Sequence, residues 1–175
     1  MRLLIYIRLF CVVQIFASCG SAVGGKKEKS EDGSFEAKII ISAGDDYYEI
    51  VGQDTFSFTP YPYNYGVIKN DGEQKLSCLV LSNRLSKNSR INILPIGLLN
   101  YIEFNEDKKL IIAIPREQDE RVIAARDLLD LVSKYPAIKS MIQDWTLGKC
   151  GIGCAKLVSW EDASAAGLWI ERNAS

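Results

Sequence analysis

From Ala37 onward, apolar positions come in short runs separated by turn chemistry. Ala37 to Ser42, Tyr47 to Val51 and Thr55 to Thr59, with Phe56 and Phe58 on one face, each read as a strand. So do Leu76 to Leu81, Ile91 to Leu94, Ile96 to Phe104 and Lys109 to Ile114. Turns fall at Gly44-Asp45-Asp46, Gly52-Gln53-Asp54, Asn70-Asp71-Gly72, Ser86-Lys87-Asn88 and Asn105-Glu106-Asp107. A single open sheet of such strands would leave unpaired edges and an uncovered apolar face, so the pattern predicts a small closed or nearly closed barrel. After Pro115 the period becomes helical. Arg126 to Ser133 is one helix, and Pro136 opens a second that runs to the neighbourhood of Trp145. Ser159-Trp160-Glu161-Asp162 reads as a capping-box start to the last helix, with Ala163, Ala165, Ala166, Leu168 and Trp169 behind it. The class is β-rich α+β, without internal repeats.

The N-terminal pattern differs. Arg2 and Arg8 precede the apolar run Leu9 to Phe16, which Gln14 interrupts; this is too short and too polar to span a bilayer and fits a signal peptide over residues 1–18. Ala17-Ser18-Cys19-Gly20 resembles the lipobox of bacterial lipoproteins, in which the cysteine is lipidated and becomes the mature N-terminus. Phe16 departs from the leucine usual three residues before that cysteine. An ordinary secretory signal cut nearby and a buried strand are the other readings, and the basic start argues against the strand. Residues 19–34 turn to Gly, Ser, Lys and Glu and read as a disordered tether, leaving residues 35–175 as one domain.

Charge narrows the partners. With Arg2 and Arg8 removed, 21 − 2 = 19 basic residues face 22 acidic ones, a net charge near −3, which argues against nucleic acid. The chain has no histidine, which removes Ser-His-Asp and Cys-His mechanisms. Cys150-Gly-Ile-Gly-Cys154 suits a disulfide in an oxidising envelope, because two glycines let the chain curl back; as a zinc signal it is weak.

The densest stretch is Thr59 to Leu81, T-P-Y-P-Y-N-Y-G-V-I-K-N-D-G-E-Q-K-L-S-C-L-V-L. Its Tyr61, Pro62, Asn64, Tyr65 and Gly66, then Asp71-Gly72 and the L-S-C-L-V-L strand, resemble the soluble inorganic pyrophosphatases, whose pattern is Y-P-x-N-Y-G-x-I then D-G-D-P-x-D-V-L-V-L. Pro95-Ile96-Gly97-Leu98-Leu99 and Lys109 to Pro115 are similar to the family's R-P-V-G-V-L, E-D-x-K and L-x-A-V-P, and S-W-E-D-A-S-A-A to its G-W-E-N-A-E-A-A. The resemblance covers Ala37 to Trp169. It implies a highly twisted five-stranded OB-like barrel flanked by two main C-terminal helices.

It also implies a chemistry. Diphosphate hydrolysis uses two or more divalent ions, one to acidify an attacking water and another to neutralise the leaving phosphate. Two dications about 4 Å apart repel by roughly 16 kcal/mol at an effective dielectric near 20, so only a ring of carboxylates holds them. Magnesium suits such oxygen ligands. By the resemblance, Asp71 takes the place of the first acid of the ring. The second, which bridges metals and partners the nucleophilic water, falls on Ser77, or on Leu76 if the alignment has no one-residue insertion. Asp107 matches an acid of the charged loop and Glu103 stands in for the other, the alternative alignment placing Ile102 there. On the anion side, Tyr65 matches a phosphate-contacting tyrosine and Lys109 a lysine after the acidic loop. Glu49 matches the glutamate of Y-E, with Tyr47 where the family has a phosphate-binding lysine. Chain is shortened between Gln53 and Thr59, where an arginine belongs; Trp145-Thr146 replaces a Tyr-Lys pair, and Lys149 is placed to compensate. Ile39, Ile40 and Ile41 fill the position of a first-strand acid.

Taken without the resemblance, the same residues read more plainly. Tyr61, Tyr63 and Tyr65 would be sheet packing, Asp71-Gly72 a hairpin turn, and Glu103 with Asp107 a solvated loop. Together the readings predict a pyrophosphatase-like lipoprotein of the bacterial envelope, with magnesium-dependent diphosphate hydrolysis weak or lost because Ser77 replaces a bridging carboxylate. The alternative is a non-catalytic module that binds phosphate and metal, or a protein partner, on the same barrel. Expected partners are diphosphate or a phosphorylated small molecule and the membrane, through Cys19; the resemblance adds homo-oligomers.

Overall fold

The computed structural model describes residues 33–45, 60–68 and 75–173. Among these residues the order is β1 (Phe35–Ile41), β2 (Asn64–Ile68), β3 (Leu76–Val80), β4 (Arg90–Glu103) and β5 (Glu106–Pro115). A 3-10 turn (Gln118–Glu120), α1 (Leu128–Lys134), α2 (Pro136–Gly148), β6 (Ala155–Asp162) and α3 (Ala163–Asn173) follow. The strands expected over Tyr47 to Val51 and Thr55 to Thr59, the Asn70-Asp71-Gly72 turn and the N-terminal segments lie outside the described residues.

The sheet runs β1-β2-β3-β5-β4-β6, and β1 also pairs with β4. That extra pairing brings the first five strands into a partly closed, twisted barrel, with β6 laid along β4. All neighbours are antiparallel except β3 and β5. The five-stranded OB-like barrel implied by the motifs is therefore present, with one more strand beside it.

Pleat alternation divides the apolar residues into two clusters. Leu79, Leu81, Leu110, Ile112 and Ile114 pack with Leu131 of α1 and with Ile142 and Trp145 of α2. Cys78, Val80, Ile111 and Ala113 pack with Ala166 and Ile170 of α3. Both faces of β3 and β5 are covered, which is why these strands read as unbroken apolar runs rather than as alternation.

Several boundaries differ from the sequence reading. Ile91 to Leu94 and Ile96 to Phe104 are one strand, because Pro95 sits at a register shift against β5, where a residue without an N–H costs least. The β4–β5 turn is Phe104-Asn105, with φ of 50° and 64°, so Glu106 and Asp107 belong to β5. The stretch Ser159 to Asp162, expected to open the last helix, instead ends β6, where Trp160 pairs with Leu99 and Asp162 with Gly97. The cap moves down the chain: the Asp162 carboxylate accepts from the Ala165 N–H at 2.9 Å.

Candidate functional site

Tyr65 stands on β2 opposite Leu79 of β3, which makes Ser77 its diagonal neighbour on one face. The two hydroxyls meet at 2.7 Å. They line an 80 Å³ cavity together with Tyr61, Tyr101, Leu110, Trp145 and Lys149. Tyr61 packs at 4.6 Å from the Trp145 ring and 5.4 Å from that of Tyr65, both tilted. Burial is the main reason the Tyr65 hydroxyl titrates above its ordinary range; Ser77 pulls the other way, and Glu103 adds a small push upward. Tyr65 is accordingly neutral near pH 7. The buried Trp145 Nε1 has no hydrogen-bond partner among the described residues.

Glu103 and Lys149 are brought together. Lys149 Nζ lies 2.9 Å from Glu103 Oε1, with each side chain 13% exposed, and 5.6 Å from the Tyr101 ring centroid. The approach is an ion pair off hydrogen-bond geometry, since Oε1 accepts no hydrogen bond from the described residues. Lys149 is fixed from both sides along the chain. Its N–H donates to Trp145 O at the end of α2, and the next residue begins the Cys150–Cys154 disulfide, with 5.9 Å between Cα atoms. Gly151 and Gly153, at φ of 102° and 80°, supply the curl that the sequence suggested. Phe104 N–H donates to Cys154 O, tying this ring to the β4–β5 turn that follows Glu103.

Asp107 and Lys109 lie elsewhere. Glu103 pairs with Glu106, Ile102 with Asp107 and Asn100 with Lys109. Adjacent residues of a strand point to opposite faces, so Glu103 and Asp107 diverge from the hairpin. It is Ile102, not Glu103, that shares a face with Asp107. Lys109 Nζ donates to Asn100 Oδ1 at 2.7 Å and sits 4.7 Å from the centre of the Trp169 ring. Asn100 Nδ2 donates to Glu161 Oε1 at 2.7 Å and Ser159 Oγ at 2.9 Å. Lys75, Ser77, Asp107, Lys108 and Lys109 border a 390 Å³ cleft. Glu49, Asp71 and Cys19 lie outside the described residues. Asn100 and Glu161 escaped the sequence reading. The available signal was a carboxamide inside Leu98-Leu99-Asn100-Tyr101, an apolar strand run that tolerates a buried amide only when it is satisfied.

The described residues do not fit a pair of divalent ions. Tyr65 and Ser77 bring no charge, Glu103 is neutralised by Lys149, and Asp107 faces away from Glu103. No three acidic or cysteine side chains among the described residues converge on one point.

Comparison with known proteins bears on residues 35–174. The family model described as inorganic pyrophosphatase matches residues 35–174. Among solved structures, an inorganic pyrophosphatase from Neisseria gonorrhoeae is similar at 18% identity, covering 80% of this chain and 88% of its own, with a TM-score of 0.66. One from Coxiella burnetii gives 20%, 79%, 92% and 0.65, and one from Thermus thermophilus 19%, 82%, 90% and 0.66. No curated protein sequence matches. The structural likenesses bear on the fold, and the family match spans residues 35–174, well over half of the chain: the chain belongs to the inorganic pyrophosphatase family.

Proposed function

We propose that this chain is a pyrophosphatase-like lipoprotein of the bacterial envelope in which magnesium-dependent hydrolysis of diphosphate to phosphate is weak or lost. The observation that supports the reading is the 2.7 Å Tyr65–Ser77 contact: with Ser77 at the motif's bridging-acid position, as the resemblance implies, a neutral hydroxyl pair takes the place of that acid. Without that acid, two dications lose attraction comparable to their mutual repulsion, before solvent offsets part of it. Anchoring through Cys19 belongs to the same proposal and rests on the lipobox-like Ala17-Ser18-Cys19-Gly20.

A second reading is a non-catalytic module for a phosphorylated small molecule. The cleft bordered by Lys75, Lys108 and Lys109 favours it, because it gathers three ammonium groups, with Asp107 on its border and Lys108 paired to Glu106.

Phosphate release from diphosphate with magnesium separates the outcomes, measured on the chain from Ser34 and on Ser77→Asp. Near-background release by the unaltered chain is expected, with a gain in Ser77→Asp if the cleft lacks only its bridge. Brisk turnover by the unaltered chain sinks the proposal. If neither form hydrolyses diphosphate but the unaltered chain binds it, the module reading takes its place.

A further inference from the structure

We propose that the Lys149 ammonium is the resident cation of this cleft, occupying the Glu103 carboxylate and closing it to divalent ions. The inference deepens the reading above and rests on it: a cleft without a metal bridge still has a buried carboxylate to neutralise. Glu103 is nearly out of water, and a carboxylate there needs a positive partner. Lys149 supplies one at 2.9 Å. Beside the pair stand the Tyr65 and Ser77 hydroxyls, the Tyr101 ring and the Trp145 indole, with the Glu106–Lys108 ion pair next to Glu103 across the hairpin. Among the described residues the charges at the site are therefore balanced, Glu103 by Lys149 and Glu106 by Lys108, leaving no surplus negative charge there with which to draw a dication.

Tethering makes the competition unequal. Lys149 is anchored by α2 on one side and by the Cys150–Cys154 ring on the other, and the ring is bonded to the turn just past Glu103. Its effective concentration at the carboxylate is that of a short intramolecular link, on the order of millimolar or above. An incoming ion must also displace the Lys149 ammonium from Glu103 within a pocket lined by aromatic rings, with Tyr101 5.6 Å away.

The test is a manganese titration followed by the electron-spin signal of free Mn²⁺. It uses the purified protein without diphosphate, so its failure is separate from that of the hydrolysis reading. Lys149→Met is expected to bind Mn²⁺ roughly tenfold or more tightly than the unaltered protein, a gain that vanishes when Glu103→Gln is added. Lys139→Met, which removes the same charge at a different site, is expected to leave binding unchanged. Lys149→Gln serves if the methionine variant fails to fold, as judged by near-ultraviolet circular dichroism. Equal affinity in the unaltered protein and the folded Lys149 variant would overturn the proposal, as would a gain that survives Glu103→Gln or is matched by Lys139→Met.

Discussion

Where Gly66 passes β1, a Cβ would meet the Lys38 carbonyl oxygen at 2.8 Å, and neither strand can give way without breaking the β1–β2 ladder. Gly66→Ala is therefore expected to cost about 1–3 kcal/mol of unfolding free energy, read as a lower urea midpoint at unchanged slope. The ion pair is a second case of a residue-level constraint. Lys149→Met leaves Glu103 without its cation and should cost about 1–3 kcal/mol, less than a fully buried pair because both ends keep some solvent. Adding Glu103→Gln should recover most of that loss, which a double-mutant cycle by urea unfolding measures. Motif spacing singled out Tyr65, Ser77, Glu103 and Lys149 in the sequence, and the structure brings them around one cavity or beside it. Their pairing was not legible in the sequence, because which strand face each side chain takes depends on a register no local pattern states. Asp107 shows the same thing in reverse: it sits near Glu103 in the chain, yet the pleat sends the two apart.

Among the elements, α1 is held at its start by a small set of charges. Asp127 accepts from the Asp130 N–H at 2.8 Å, while the Asp130 carboxylate takes Lys134 at 2.6 Å and the Arg126 N–H and Nε at 3.1 and 3.2 Å. The Lys134 contact first, and then the Arg126 amide, hold the Asp130 carboxyl down from 3.8 to about 2. A depressed acid stabilises the fold above its unfolded value, and that contribution is lost as pH falls from about 3.8 toward about 2. Asp130→Asn is accordingly expected to flatten the acid limb of stability in that window and leave its shape near neutrality unchanged, as followed by helical circular dichroism against pH. At the β6–α3 junction, Asp162→Ala should cost about 1 kcal/mol by removing the cap on Ala165. Helices α1 and α2 were legible because Pro136 and the apolar spacing mark them. Strand β6 was not, since Ser-Trp-Glu-Asp satisfies a capping rule locally while the β4 edge offers a full ladder of backbone partners.

At the scale of the whole molecule, the barrel and the site are stabilised by different means. Closure through β1 and β4 and the two apolar clusters on opposite sheet faces hold the barrel, and the family pattern in the sequence anticipated this architecture. The Lys149 segment depends instead on the disulfide ring, which lies beyond both clusters and reaches the barrel through Phe104 N–H to Cys154 O. A ring this short constrains the unfolded chain modestly, by about 2 kcal/mol at most in the chain-entropy picture. Reduction with dithiothreitol should thus lower the urea midpoint slightly while leaving the far-ultraviolet spectrum of the sheet intact. Its larger effect belongs at the cleft. With the ring open, Lys149 loses one of its two anchors, so reduced protein should bind Mn²⁺ more tightly than oxidised protein, in the direction of Lys149→Met. The Cys150→Ser, Cys154→Ser protein, measured in the same titration, should match the reduced form. If reduction unfolds the sheet, the ring supports the barrel as well, and the division between a self-sufficient scaffold and a separately tethered site is wrong.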